Sequence, residues 1–428
     1  MISFKPVELR DKFFRAMEVM DSITQDWDPD LRQMEPNAAD YDDIEVTEST
    51  EISFWLNEAL ERTDSTVREV MRWAECLEQG KLIGRGAVIV PGQTIFYVRP
   101  ANRKAEGIVY EDYPCSLGDL GMKSSAVIDG KACSLELVNG FTPFNLFAEK
   151  ELDCDDKVYP SYGERDVFAV VSYDGDLALE KARALCTAYL FELASCHDVA
   201  FSLSEFPEVL YDYAESLDED EGGEESGFPV RALDLTKGLP ELYSLYVEGA
   251  TSNTPEWAFV SFIKAIEYVS VTVVRRTAHG EIRARLMAPE ALRPDAAYID
   301  GLIQLVASQR EYAKQREYIR RAIVECCDMS RIAPLLPTYL RETGRVERAA
   351  DQKAIAGDVS DAIVATRNYL VHAKAAYENT GRECPEGQLN DFVACAREIA
   401  REAIVWYQGL SEHARLAGPG PAPSSEEP

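Results

Sequence analysis

Apolar positions along this chain recur first with a helical period, then with a strand period, then with a helical one again. From Pro6 to Ile23, Leu9, Phe13, Met17 and Met20 return at three- and four-residue spacing, which predicts an amphipathic helix. Thr24–Thr50 is acidic and aperiodic (DWDPD, NAADYDDIEVTEST) and reads as loop. Glu51–Gln79 reads as a second helix through Phe54, Trp55, Leu60, Val67, Val70 and Trp73. From Gly80 the runs shorten to GAVIV, TIFYVRP, GIVYEDYP, SAVIDG, CSLELVNG and DVFAVVSY, each bounded by turn residues, and these predict strands. Asp174–His197 predicts a helix, followed by a short strand in FSLSEF. Strands in a block with a packed helix predict an α+β half with a mostly antiparallel sheet.

The charged run ESLDEDEGGEESG, Glu215–Gly227, reads as a linker, and Pro255 after SNT marks a helix start. Beyond it the pattern is helical throughout: Pro255–Ala278, Asp295–Cys327, Arg331–Thr343, Val346–Ala356, Asp358–Thr380 and Gln388–His413. Helices joined by short connections predict an all-α bundle. The expected organisation is a helical segment with an acidic loop over 1–80, an α+β domain over 81–250 and the bundle over 254–417. A Pro- and Ser-rich tail, expected to be disordered, covers 418–428.

Composition narrows the picture little: 428 residues suit two or three domains. No apolar run approaches the ~20 residues of a spanning helix. The opening MISFKPVELRDKFF turns charged too early for a secretory signal, so the expectation is a cytoplasmic protein away from membranes. Ten scattered cysteines without a C-x-x-C agree with a reducing compartment. Neither GDLGMKSS nor GRGAVIVPG has the spacing of a phosphate-binding loop.

Charge matters more. The net charge is −31, but Thr254–Ala417 holds about as many Lys and Arg as Asp and Glu, leaving about −29 ahead of it. An acidic first half repels a phosphate backbone, whereas a neutral bundle with local arginines can bind one. Arg316, Arg320 and Arg321, late in the second bundle helix, are the candidate RNA contacts.

The sharpest chemistry lies on the helix expected over Asp358–Thr380. Asp358 is the expected N-cap, with Asp361 three residues on. Val359, Ile363, Thr366, Leu370, Ala373 and Tyr377 form the buried stripe. Asn368 and His372, four apart, share the face opposite Leu370, with Arg367 on the shoulder. Arg367-Asn368-x-x-x-His372 resembles the signature of the HEPN superfamily. The runs TRNYLVHAK and TPEWAFVSFIKAIEYVSVTVV are similar to its Apea-like branch, linked to bacterial abortive infection. The resemblance covers roughly Thr254–Ala417.

A metal-free ribonuclease uses the 2′-hydroxyl beside each phosphate and needs a proton carrier and a cation. An imidazole such as His372 suits the first task and a guanidinium such as Arg367 the second. Asn368 would orient the imidazole or donate to a phosphate oxygen. The resemblance implies that two motif helices meet in a homodimer, cut RNA without metal or other cofactor and leave a cyclic phosphate. Glu267, an acid in an apolar helix, is the expected partner of Arg367. On this reading the first half is a sensor or regulatory module for a phage-derived or other trigger. The alternatives are a non-catalytic HEPN regulator that binds a nucleotide, RNA or protein, and an acidic scaffold that mimics nucleic acid.

Overall fold

The computed structural model describes residues 2–21, 23–27, 44–56, 62–110, 117–152, 166–206, 228–311, 315–341, 352–371 and 381–415. The expected linker Glu215–Gly227 and the tail 418–428 both lie outside these residues. Two compact units emerge: Met1–Leu193 with His197–Leu233, and Ala194–Cys196 with Asp234–Pro428. The first is α+β and the second all-helical.

In the first unit, β1 (Ile2–Phe4) precedes α1 (Glu8–Met20), β2 (Thr24–Trp27), β3 (Ile44–Val46), β4 (Glu51–Leu56), β5 (Arg62–Thr66) and α2 (Val67–Gln79). Strand β1 pairs in parallel with β3, and β2-β4-β5 form an antiparallel sheet. Two expectations are corrected here. Thr24–Thr50 contributes strands as well as loop, and Glu51–Gln79 is a hairpin followed by a helix. Ile52 and Phe54 bury at strand spacing. The helix waits for Thr66, whose hydroxyl accepts the Glu69 N–H while Glu69 Oε2 accepts the Thr66 N–H at 2.8 Å. The helix pair α1–α2 then packs Leu9, Phe13 and Met20 into one core with Val67, Val70 and Ala74.

The main sheet comprises β6 (Lys81–Ile83), β7 (Ala87–Val90), β8 (Gln93–Pro100), β9 (Lys123–Ile128), β10 (Lys131–Asn139), β11 (Val167–Tyr173) and β12 (Phe201–Leu203). Its order is β6-β7-β8-β11-β10-β9 with β12 on β8, and every pair is antiparallel. Three helices accompany it: α3 (Arg103–Tyr110), α4 (Pro143–Glu151) and α5 (Leu179–His197). The GIVY run expected as a strand is the end of α3. Asn102 Oδ1 accepts the Ala105 N–H at 3.0 Å, and Ala105 and Ile108, three apart, are the buried pair.

The second unit holds α6 (Leu239–Ala250), α7 (Pro255–Leu286), α8 (Ala296–Glu311), α9 (Gln315–Cys326), short turns at Met329–Ile332 and Thr338–Arg341, then α10 (Gln352–Val371) and α11 (Leu389–Gln408). Helices α6, α9, α10 and α11 all pack on α7. The compact unit begins ahead of the expected Thr254, because α6 packs on α7 and α11. Asp234 and Thr236 are also held by Arg415, a buried guanidinium 3.2 Å from Asp234 Oδ2 that also donates to the Thr236 hydroxyl. By length and composition α7 is apolar enough to cross a membrane, yet 72% of its most apolar window is buried within the protein.

Packing against α7 is tight where α6 crosses it. A Cβ on Gly249 would lie 2.8 Å from the fully buried ring of Phe262. Gly249→Ala is therefore expected to destabilise the protein by about 1–3 kcal/mol, although alanine is the better helix former. Urea unfolding measures this, and a gain in stability would show that the two helices separate freely.

Candidate functional site

Helix α10 starts earlier than its capping signal suggests, and Asp358 lies inside it rather than at its cap. Ile355 and Ala356 are buried and extend the apolar face toward the N-terminus. Burying an isoleucine outweighs the ~1 kcal/mol of a cap. Val359, Ala362, Ile363 and Thr366 continue that face against α7 and α9, while Leu370 is half-buried. The Thr366 hydroxyl accepts the Cys384 N–H at 2.8 Å, which ties the segment before α11 back to α10. His372, Ala373 and Tyr377 lie outside the described residues.

Arg367 and Asn368 occupy the flank of α10 beside α7. Arg367 Nε stands 3.9 Å from Glu267 Oε1, so the acid in the apolar helix and the motif arginine do face each other. A terminal nitrogen of the guanidinium donates to Asn368 Oδ1 at 3.2 Å. The Arg367 and Glu267 side chains retain 27% and 26% of their exposure. Asn368 takes one terminal nitrogen, Glu267 lies beyond hydrogen-bond distance of Nε, and the other terminal nitrogen has no partner among the described residues. A planar guanidinium with its Nε and one terminal nitrogen not hydrogen-bonded suits a phosphate or carboxylate oxygen. Tyr369 and Val371 beside it are exposed at 43% and 47%.

The arginines expected to contact RNA have other occupations. Arg316 pairs with Asp361 on α10, a carboxylate that also receives Arg382. Arg320 and Arg321 lie 3.8 and 3.2 Å from Glu317, one turn earlier on α9. Their charge is answered locally, and Arg316 serves to tie α9 to α10. Sequence reasoning passed over a different series, RRTAHGEIRAR, at the end of α7. Arg275, Arg276, His279, Arg283 and Arg285 are all exposed there. Four arginines against one glutamate within three helical turns was the available signal.

Burial raises the thiols of Cys326 and Cys327, and Glu325 or neighbouring Cys and Glu groups raise them further, so both stay protonated packing residues. Among the described residues no group of three or more His, Cys, Asp or Glu is arranged to hold a metal. His197 Nε2 donates to the Pro229 carbonyl at 2.8 Å, and Asp198 closes α5 in the left-handed region. That pair is a helix ending.

Searches of family models, curated proteins and solved structures find no match to this chain.

The long ion pair yields a stability prediction. Glu267→Gln should cost less than about 1 kcal/mol, as partly exposed pairs do. A loss nearer 3 kcal/mol in urea unfolding, the cost of stripping a buried charge, would make Arg367 a structural anchor instead.

Proposed function

We propose that the C-terminal unit is a metal-independent endoribonuclease of the HEPN type, acting as a bacterial antiphage or toxin effector. The observation that carries this reading is Arg367: loosely faced by Glu267, donating to Asn368, partly open to solvent, and five residues ahead of His372 in sequence. In this reading Arg367 holds a non-bridging phosphate oxygen and stabilises the charge that builds during attack by the 2′-hydroxyl. Asn368 keeps the guanidinium in place through its Oδ1. His372 carries the proton. Two copies would meet through the motif helix, with exposed Tyr369 and Val371 supplying apolar contact. The first unit would act as sensor or regulator.

A second reading is a regulator that binds RNA or a nucleotide without cutting it. The same loosely held guanidinium favours it, since a phosphate can be gripped there without chemistry.

Incubating total RNA in chelator with wild type, Arg367→Ala and His372→Ala separates the two. Each substitution is expected to slow cleavage by about 10²-fold or more. Equal cleavage by all three would reject the nuclease reading, as would dependence on added metal. RNA bound but left intact by wild type would select the second reading. Sedimentation should give a dimer at micromolar concentration, converted to monomer and inactivated by Tyr369→Glu with Val371→Glu. A wild-type monomer that still cleaves RNA would dismiss the shared site.

A further inference from the structure

The C-terminal half of α7 parts company with the bundle. Through Val274 the helix is buried on several sides, whereas from Arg275 to Leu286 only Ala278 is buried, and Ile282 only partly. At about 100° per residue, Arg275, His279 and Arg283 fall in one row, with Arg276 at its edge, all within roughly a 100° arc. Arg276 is steadied by the Trp406 ring of α11, its guanidinium carbon 5.5 Å from the ring centroid. No acid ion-pairs with Arg275, Arg276, Arg283 or Arg285 among the described residues. Glu281, the one acid of the segment, lies round the far side of the helix from His279.

Arg275 and Arg276 are adjacent and Arg283 lies about two turns further on, so this face concentrates positive charge. In a chain of net charge −31, where Arg316, Arg320, Arg321 and Arg415 all have acidic partners, this row gathers several guanidiniums on one face with no ion-paired acid among the described residues. Its geometry selects a ligand. Arg275, His279 and Arg283 succeed one another by about 6 Å along the axis, at 1.5 Å per residue. An extended row of cations on one face suits an extended polyanion better than a single anion. A membrane surface would need large apolar side chains opposite the charges. The opposite face carries Thr277, Glu281, Ala284 and Arg285, and the exposed Leu286 lies on the row's own side.

We propose that Arg275, Arg276, His279 and Arg283 form a docking row for the phosphodiester backbone of a nucleic acid, separate from the Arg367 site and independent of whether that site cleaves.

Anisotropy with labelled single-stranded RNA and DNA oligomers of equal length tests this on the full chain. The His372→Ala background prevents cleavage. Arg275→Ala with Arg283→Ala should weaken binding at least tenfold, while far-ultraviolet dichroism stays unchanged because both side chains are exposed. The slope of log K against log salt should flatten by about 1.4, at ~0.7 per phosphate contact on a single strand. Arg275→Lys with Arg283→Lys should restore most of the affinity and the slope. RNA bound well above DNA would identify RNA as the backbone recognised, and equal binding would identify any nucleic acid strand. Unchanged affinity and slope in the alanine variant would overturn the proposal. So would wild type that ignores both oligomers yet binds phosphatidylserine vesicles. Failure of the nuclease reading looks different: RNA stays whole with the wild type, while the row still governs anisotropy.

Discussion

Everything in the second unit is arranged around one helix that must satisfy two opposed demands. Helix α7 packs against α6, α9, α10 and α11. Its first turns therefore carry apolar side chains on several sides, with Ala258, Phe259, Val260, Phe262, Ile263, Ala265 and Ile266 all buried. Burial of that extent leaves no route by which a charge can sit among them unpaired. Glu267 is tolerated because it lies at the margin with exposure left to it, and because Arg367 faces it. Past Val274 the neighbours fall away and arginines replace the aliphatics. The same continuous element thus defines the core and then leaves it.

Much of this was legible from period alone, and the failures have a common cause. The strands of the main sheet show because each alternates or buries over a short run between turn residues. The hairpin β4–β5 was hidden by accident: Phe54, Val67 and Val70 can be strung on a helical pattern that ignores the intervening chain. Thr66 and Glu69 carried the true boundary, as T-x-x-E before an apolar run. In α3 the β-branched run GIVY pulled toward strand, although Asn102 stood ready as a cap. At Asp358 the error reversed, a good cap being overridden by the burial of Ile355 and Ala356. Local signals worth ~1 kcal/mol prevail only where tertiary packing does not oppose them.

Electrostatics was the least legible layer. A sequence reports how many guanidiniums are present, not which of them find carboxylates. Arg316 looked available until α9 and α10 came together and put Asp361 against it. Arg320 and Arg321 share Glu317, a partner visible in the sequence at i−3 and i−4 and worth only a few tenths of a kcal/mol, yet enough to lower their attraction for a further anion. Arg367 is intermediate, with a carboxylate at 3.9 Å and an amide at 3.2 Å. The α7 row stands at the other limit. Ranking arginines by how completely the protein answers them reverses the order that clustering alone suggested.

That ranking gives α7 a further consequence. Glu267, which positions Arg367, and Arg275, which opens the exposed row, are eight residues apart on one unbroken helix. The rise of 1.5 Å per residue separates them by about 12 Å, and their azimuths differ by about 80°. A helix buried along its first half holds such a separation rigidly, with no loop between the two positions to absorb error. The Glu267 margin and the exposed row are therefore held in fixed relation by the helix itself.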